Sequence, residues 1–114
     1  MSTCPFCHPT LDPHQTIIAE NDSCYFLMHD HEQDVLVGSG VIVPKAHRAT
    51  TFDLTLLEWQ HTYELLHQAK EYLNQSFQPD GYTLGWNVGT ASNQTVPHAH
   101  LHVIPRYEAG PHAG

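Results

Sequence analysis

Residues 98–104 read HAHLHVI, with His98, His100 and His102 at alternate positions of an otherwise apolar run. Side chains of a β-strand point to opposite faces in turn, so a strand here puts the three imidazoles on one face and the apolar residues on the other. Neighbouring imidazoles then lie about 7 Å apart, along the length of one anion-sized ligand. We predict a last strand over residues 98–105 with an imidazole face.

A row of histidines can also arise without any chemistry at phosphorus. It could be the wet face of an amphipathic strand, but Thr and Lys would serve such a face better, and three adjacent imidazoles repel one another when charged. It could also bind metal, but the two outer imidazoles lie about 13 Å apart and do not reach one ion together. Neutral imidazole is a good nucleophile near pH 7 and forms a labile phosphorus–nitrogen bond, so the row favours chemistry at phosphorus.

A loop of small polar residues leads into the histidine row. Residues 92–96 read SNQTV, and Asn93 with its neighbours can adopt turns that point successive N–H groups at an anion. Thr95 offers a hydroxyl and Gln94 an amide, while Asn87 at the end of the preceding strand could reach the same ligand. Taken alone, the segment is equally well an ordinary connecting loop. Its position beside the histidines favours a phosphate cradle.

The rest of the chain predicts short strands, one main helix and then more strands. Hydrophobic runs between turn residues indicate the strands, and a capping box of Thr55 and Glu58 opens a helix that ends near Phe77. We expect the aromatic residues of this helix, such as Trp59, to lie in the core. The other strands are predicted over residues 16–20, 24–29, 41–43 and 82–88. This order indicates an α+β domain with a mostly antiparallel sheet.

Size and charge restrict the class of protein. A chain of 114 residues has room for one core, so we expect a single domain over residues 1–114. Twelve acidic residues against four Lys and Arg give a net charge of −8, which argues against nucleic acid as a partner. An anionic ligand must therefore be held by backbone N–H groups, a metal ion or local histidines.

The sequence also predicts where the protein works. No apolar run approaches the roughly 18–20 residues that cross a bilayer, so we expect no membrane partner. The first ten residues lack the charged-then-apolar plan of a signal peptide. Three cysteines, two of them in C-x-x-C, do not make a secreted disulfide framework, so a cytoplasmic protein is expected.

These motifs resemble the histidine triad (HIT) family, which is defined by His-x-His-x-His followed by apolar residues. Here the pattern stands as His98, His100 and His102 before Val103 and Ile104. Three further segments match and extend the resemblance over nearly the whole chain: QTV at 94–96, VPK at 43–45 and IPR at 104–106.

The resemblance implies a fold and an activity. The family fold is a five-stranded antiparallel sheet with one long and one or more short helices, usually as a homodimer. Members bind purine nucleotides and react at the α-phosphate, where the middle histidine, here His100, attacks phosphorus. His102 is then expected to contact phosphate, and Asn87 with the loop of Asn93, Gln94, Thr95 and Val96 to hold phosphate oxygens and the leaving group.

The favoured function is hydrolysis of nucleoside phosphoramidates through a covalent nucleotidyl-histidine. Dinucleoside polyphosphates are the alternative substrates, and a non-catalytic nucleotide-binding or sensor module is a further alternative. Two departures from the family bear on this choice. Asn93 stands where glycine is common, and asparagine also tolerates positive φ. The chain also stops soon after the triad, where relatives often continue with a tail that shapes specificity.

The first cysteines form a separate motif. Residues 4–7 read CPFC, and two thiolates at this spacing can grip one tetrahedral ion, although a redox pair or an incidental pair fits the spacing too. In HIT-related proteins with an N-terminal C-x-x-C, the resemblance implies a zinc site of Cys4, Cys7, His47 and His98. Such a closed site would be structural, with one zinc per chain. The alternative for His47 is a metal-free role near the active site.

Overall fold

A hairpin of hydrophobic strands starts the sheet. In the computed structural model, which describes residues 4–110, strands β1 (Gln15–Glu20) and β2 (Cys24–His29) pair antiparallel. The side chain of Asn21 closes their turn by accepting hydrogen bonds from the backbone N–H groups of Ser23 (3.1 Å) and Cys24 (2.9 Å). The hairpin predicted from the sequence is confirmed within one residue.

Three further strands complete one antiparallel sheet. They are β3 (Gly40–Pro44), β4 (Gly81–Trp86) and β5 (Leu101–Arg106), and the order across the sheet is β1-β2-β3-β5-β4. Short 3-10 helices lie at Pro9–Leu11, Asp30–Asp34, Thr51–Asp53 and Thr90–Ser92. The predicted α+β class with a five-stranded antiparallel sheet is confirmed. A single domain over residues 1–114 stays a prediction, since residues 1–3 and 111–114 lie outside the described part.

Helix α1 (Leu56–Phe77) covers one face of the sheet. Its predicted capping box is present: Glu58 N–H donates to Thr55 Oγ1 at 3.1 Å, and Thr55 N–H donates to Glu58 Oε1 at 2.8 Å. Leu65 and Leu73 are fully buried against the sheet, and each burial contributes roughly 1.5–3 kcal/mol. Among residues 4–110, no helix combines the length and the apolar character needed to span a membrane.

The core prediction is wrong for three of the helix aromatics, whereas the fourth, Phe77, is partly buried and packs against the core. Trp59 is 42% exposed, and Tyr63 and Tyr72 are also exposed. The face of α1 that meets the sheet is taken by five other residues, spaced three or four apart: Glu58, Thr62, Leu65, Ala69 and Leu73. The aromatic residues therefore lie beside this face, where Trp59 packs edge-on against Trp86 with ring centroids 5.6 Å apart.

Two strand boundaries differ from the prediction by more than one residue. The last strand begins at Leu101 instead of residue 98, because the backbone N–H of Ala99 donates to Arg48 O at 2.6 Å and so does not join the β3 ladder. The fourth strand ends at Trp86 instead of residue 88. His98 therefore lies in a bend before β5 and His100 directly before the strand, and only His102 lies within it.

Candidate active site and metal cluster

A cavity of about 410 Å³ lies on the face of the sheet opposite α1. Strand side chains alternate, so Phe26, Ile42 and Val103 pack towards the helix while their neighbours line the cavity. Of the residues predicted to form the site, five line this cavity: Asn87, Thr95, Val96, His100 and His102. The fold therefore brings the histidines and part of the preceding loop to one place.

The other two predicted loop residues do not line this cavity. Gln94 is engaged at both ends of its amide: Oε1 accepts from Gly89 N–H at 2.8 Å, and Nε2 donates to Ala49 O at 2.7 Å and Val96 O at 3.0 Å. Its side chain holds the loop in shape, which leaves its amide committed to the protein. Asn93 adopts φ 64°, the left-handed conformation that makes glycine common at this position and that asparagine tolerates.

His100 is held by one backbone group. Its Nδ1 lies 2.8 Å from the carbonyl oxygen of His98, and a carbonyl only accepts, so Nδ1 carries the hydrogen. In the neutral imidazole, Nε2 then carries the lone pair. The ring is 6% exposed and lines the cavity. The structure thus gives His100 the tautomer that a nucleophilic Nε2 requires.

His102 lies next to it, with its ring centroid 4.8 Å from that of His100. Burial lowers the pKa of His102, the neighbouring His100 lowers it further, and the carboxylate of Glu32 raises it in part. The net direction is downward from 6.5, so this imidazole is neutral at pH 7. It can therefore donate or accept one hydrogen bond without adding a second charge beside His100.

Cys4, Cys7, His47 and His98 form the second feature, a cluster whose ligand atoms all lie within 4.8 Å of one another. His98 Nδ1 is 3.3 Å from Cys4 Sγ and 3.4 Å from Cys7 Sγ, and His47 Nδ1 is 3.1 Å from Cys7 Sγ. Ligands at zinc–sulfur and zinc–nitrogen bond lengths of about 2.3 and 2.0 Å would lie roughly 3.5 Å apart around a tetrahedral ion. The four residues could hold a metal ion.

The buried His98 is oriented for that role. Its Nε2 donates to Pro44 O at 2.8 Å, which leaves the Nδ1 lone pair facing the cysteines. Burial lowers the pKa of His98, an effect reinforced by His47 and His100 and partly offset by the Pro44 hydrogen bond. A neutral imidazole with a fixed tautomer is the form that ligates metal.

Sequence reasoning missed several residues of the cavity. Gln15 and Glu32 line it, and so does Phe6, whose ring contacts both His98 and His100. Phe6 stands between the two cysteines, so the expected knuckle beside His98 was a usable signal for it. The placement of the other two depends on the folding of β1 and of the segment after β2, which no local pattern reveals.

The chain matches known proteins over most of its length. A sequence model of the HIT domain matches residues 11–109. The crystal structure of a HIT family protein from Bacillus anthracis is 30% identical, covers 96% of this chain and 76% of that one, and superposes with a TM-score of 0.80. A zinc-bound histidine triad family protein from Mycobacterium smegmatis, 23% identical, covers 97% and 80% with a TM-score of 0.77, which supports the fold.

Curated relatives match a shorter segment. A bis(5'-nucleosyl)-tetraphosphatase (asymmetrical) from Schizosaccharomyces pombe is 28% identical over 75 residues, which cover 66% of this chain and 41% of the relative. The chain spans about half the length or less of the curated relatives it matches.

Proposed function

Because the chain belongs to the HIT domain family, we propose that it is a nucleotide hydrolase that cleaves nucleoside phosphoramidates at the α-phosphate through a covalent nucleotidyl-His100. The observation that carries this proposal is the hydrogen bond from His100 Nδ1 to His98 O at 2.8 Å, inside a cavity large enough for a nucleotide. A binding protein has no need of an imidazole whose Nε2 lone pair is set free in this way.

The proposed reaction has two displacements. The lone pair of His100 Nε2 attacks the α-phosphorus, and the bond from phosphorus to the amine nitrogen breaks. The amine leaves with that electron pair and takes a proton from solvent. Water then attacks the phosphorus, the bond to Nε2 returns its electron pair to the imidazole, and a proton passes to solvent. The products are the nucleoside monophosphate, the amine and a neutral His100.

Neutral groups would hold the phosphate. Thr95 offers a hydroxyl, Asn87 an amide and His102 an imidazole from the cavity wall. The backbone N–H groups of Ser92, Asn93 and Gln94 already donate to carbonyl groups within their own loop, so the side chains of the cavity wall carry this role. Among residues 4–110, no Lys or Arg lines the cavity, whereas the carboxylate of Glu32 does. This charge balance favours a phosphoramidate, with its single negative charge, over the multiple charges of a polyphosphate.

We further propose that the metal held by Cys4, Cys7, His47 and His98 is zinc. The two thiolates and two imidazoles are the donor set of a closed tetrahedral zinc site. With four protein ligands the ion has no open position, so it would fix the N-terminal segment to the approach of β5 and activate no water. The Mycobacterium smegmatis protein, described as zinc-bound, supports this choice of ion.

A second substrate class is dinucleoside polyphosphates. It is favoured by the relative from Schizosaccharomyces pombe, which is described as a bis(5'-nucleosyl)-tetraphosphatase. The same His100 would attack an α-phosphorus, and the leaving group would be a nucleotide instead of an amine. Comparing kcat/KM for an adenosine phosphoramidate and for a diadenosine polyphosphate, each at equal ionic strength, decides between the two classes.

The proposed mechanism is tested by trapping the intermediate. Wild-type protein is mixed with a phosphoramidate labelled at the α-phosphorus and quenched within one turnover in alkaline denaturant. We expect label on the protein, in a linkage that is stable to alkali and labile to acid. His100→Asn should keep nucleotide binding and lose both label and turnover, whereas His102→Asn should retain more activity because it loses stabilisation and keeps the nucleophile.

The control for these variants is His67→Asn, since His67 is exposed on α1 far from the cavity lining. It should label and turn over as wild type does. Turnover by His100→Asn at a rate near that of wild type would show that the proposed mechanism is wrong, whatever the fold.

A further inference from the structure

The ring of Phe6 lies against both His98, one of the four candidate metal ligands, and His100, the proposed nucleophile. Phe6 lies between Cys4 and Cys7, is buried against Leu27 and Val43, and lines the cavity. Its ring centroid is 5.1 Å from that of His100 with the planes tilted by 55°. It also meets His98 edge-on at 5.8 Å.

The proposed reaction changes the charge of His100. When Nε2 forms its bond to phosphorus, Nδ1 keeps its hydrogen, which it donates to His98 O. Both ring nitrogens are then substituted, so the imidazole carries a positive charge until water cleaves the phosphorus–nitrogen bond. This charge develops on a ring that is almost fully buried, where a cation without a partner is costly.

Two neighbours of His100 are suited to that charge. The His98 carbonyl faces Nδ1, and the centroid of the Phe6 ring lies 5.1 Å from that of His100, within the roughly 6 Å at which an aromatic ring attracts a cation. The neighbouring His102 is neutral, so it adds no second positive charge beside this one. An aromatic ring attracts the cation without raising the desolvation cost that a second buried charge would bring.

We propose that Phe6 is a positioning residue for His100: the π-electrons of its ring stabilise the positive charge that forms on the imidazole during nucleotidyl transfer. The assignment rests on the proposed function. Phe6 would then assist the reaction itself, whereas the two cysteines beside it would only hold the proposed zinc ion.

Fluorinated phenylalanines separate this role from simple packing. Each added fluorine withdraws electron density from the ring face while ring shape hardly changes. Site-specific incorporation of mono-, di- and trifluorophenylalanine at position 6 should lower the single-turnover rate of His100 labelling step by step, by about 3- to 30-fold in total. KM, melting temperature and metal content should stay at wild-type values, because the ring still fills its place.

The same series at Phe26 is the matched control, since Phe26 is fully buried on the other face of the sheet, in the cluster that packs against α1. It should give a flat response. Phe6→Leu, which removes the ring altogether, should lose at least as much rate as the trifluoro variant. If wild-type protein is labelled but the labelling rate does not change along the series at position 6, the role of Phe6 is wrong and His100 remains the proposed nucleophile. A wild type that never becomes labelled overturns both.

Discussion

The Nδ1 hydrogen of His100 is donated to the backbone carbonyl of His98, 2.8 Å away. His98 in turn directs its own Nδ1 at Cys4 and Cys7 and donates Nε2–H to Pro44 O. His98 of the four-residue cluster and the proposed nucleophile His100 are therefore two residues apart on one backbone segment. Any change that moves His98 moves the acceptor that sets the tautomer of His100.

Removing a ligand from the cluster should remove the metal. We expect His47→Asn to lower the metal content from one ion per chain to near zero, because His47 Nδ1 is 3.1 Å from Cys7 Sγ. Metal binding contributes to folding, so the melting temperature should fall by about 10 °C or more, corresponding to roughly 2 kcal/mol. Elemental analysis and calorimetry measure both. A His47→Asn protein that keeps its full metal content would instead place His47 in the alternative role near the active site.

Stability should fall on mild acidification because of His102. Burial lowers its folded pKa below the ordinary 6.5, so between these two values the unfolded chain binds more protons than the folded one. Stability therefore rises with pH in this window. The stability linked to neutral His102 is present in full above about pH 6.5. It is lost as the pH falls through the lowered pKa that His102 has in the folded protein.

The measurement is urea unfolding of metal-loaded protein between pH 7.5 and 5.5. We expect His102→Gln to have a flatter profile than wild type, because it has no proton to take up. Other buried groups titrate alike in both proteins, so the difference between the two profiles isolates His102. Parallel profiles would contradict the prediction.

Glu58 joins the helix to the histidine segment. Its carboxylate accepts from Arg48 Nε at 3.0 and 3.2 Å and caps Thr55, while Arg48 O accepts from Ala99 N–H between the two histidines. Burial raises the pKa of Glu58, but the Arg48 and Thr55 hydrogen bonds outweigh it and the net shift is downward from 4.5. We expect Glu58→Gln to lose about 1–2 kcal/mol of unfolding free energy at pH 7.

Because the carboxylate has a lowered folded pKa, its contribution is present above the ordinary value of 4.5 and is lost as the pH falls through the folded value. Glu64→Gln is the matched control, since exposed Glu64 bonds only Gln60 one helical turn away among the described contacts. Its unfolding free energy should stay within about 0.5 kcal/mol of wild type. If both variants lost the same unfolding free energy, the ion pair and cap made by Glu58 would not be the source of the loss.

The exposed apolar residues predict a homodimer. Leu56 and Trp59 on α1 and Leu84 on the edge strand β4 are exposed, and sheet edges invite pairing. Light scattering at micromolar concentration should give twice the chain mass of 12.8 kDa. Leu84→Lys should shift the protein towards monomer, whereas Leu11→Lys, on an exposed residue of another segment, should not. A wild type that stays monomeric at this concentration contradicts the prediction.

Sequence patterns correctly predicted the helix and strand bounds that are set by residues close together in the chain. The capping box of Thr55 and Glu58 set the start of α1, and the hydrophobic run of β2 set its bounds to the residue. The start of β5 was misjudged because the N–H of Ala99 bonds Arg48, a partner far away in sequence. For the same reason the sequence could not tell that the amide of Gln94 is used by the loop.

The separation of the metal ligands has a consequence for synthesis on the ribosome. His98 follows Cys7 by 91 residues, and chains grow at roughly 5–20 residues per second, so the two thiols precede their last ligand by about 5–20 seconds. During this interval the two cysteines lack the His98 imidazole that completes the proposed zinc site. His98 reaches the two cysteines only when β5, the last strand of the chain, joins the sheet. The four ligands therefore come together only after the whole sheet has formed.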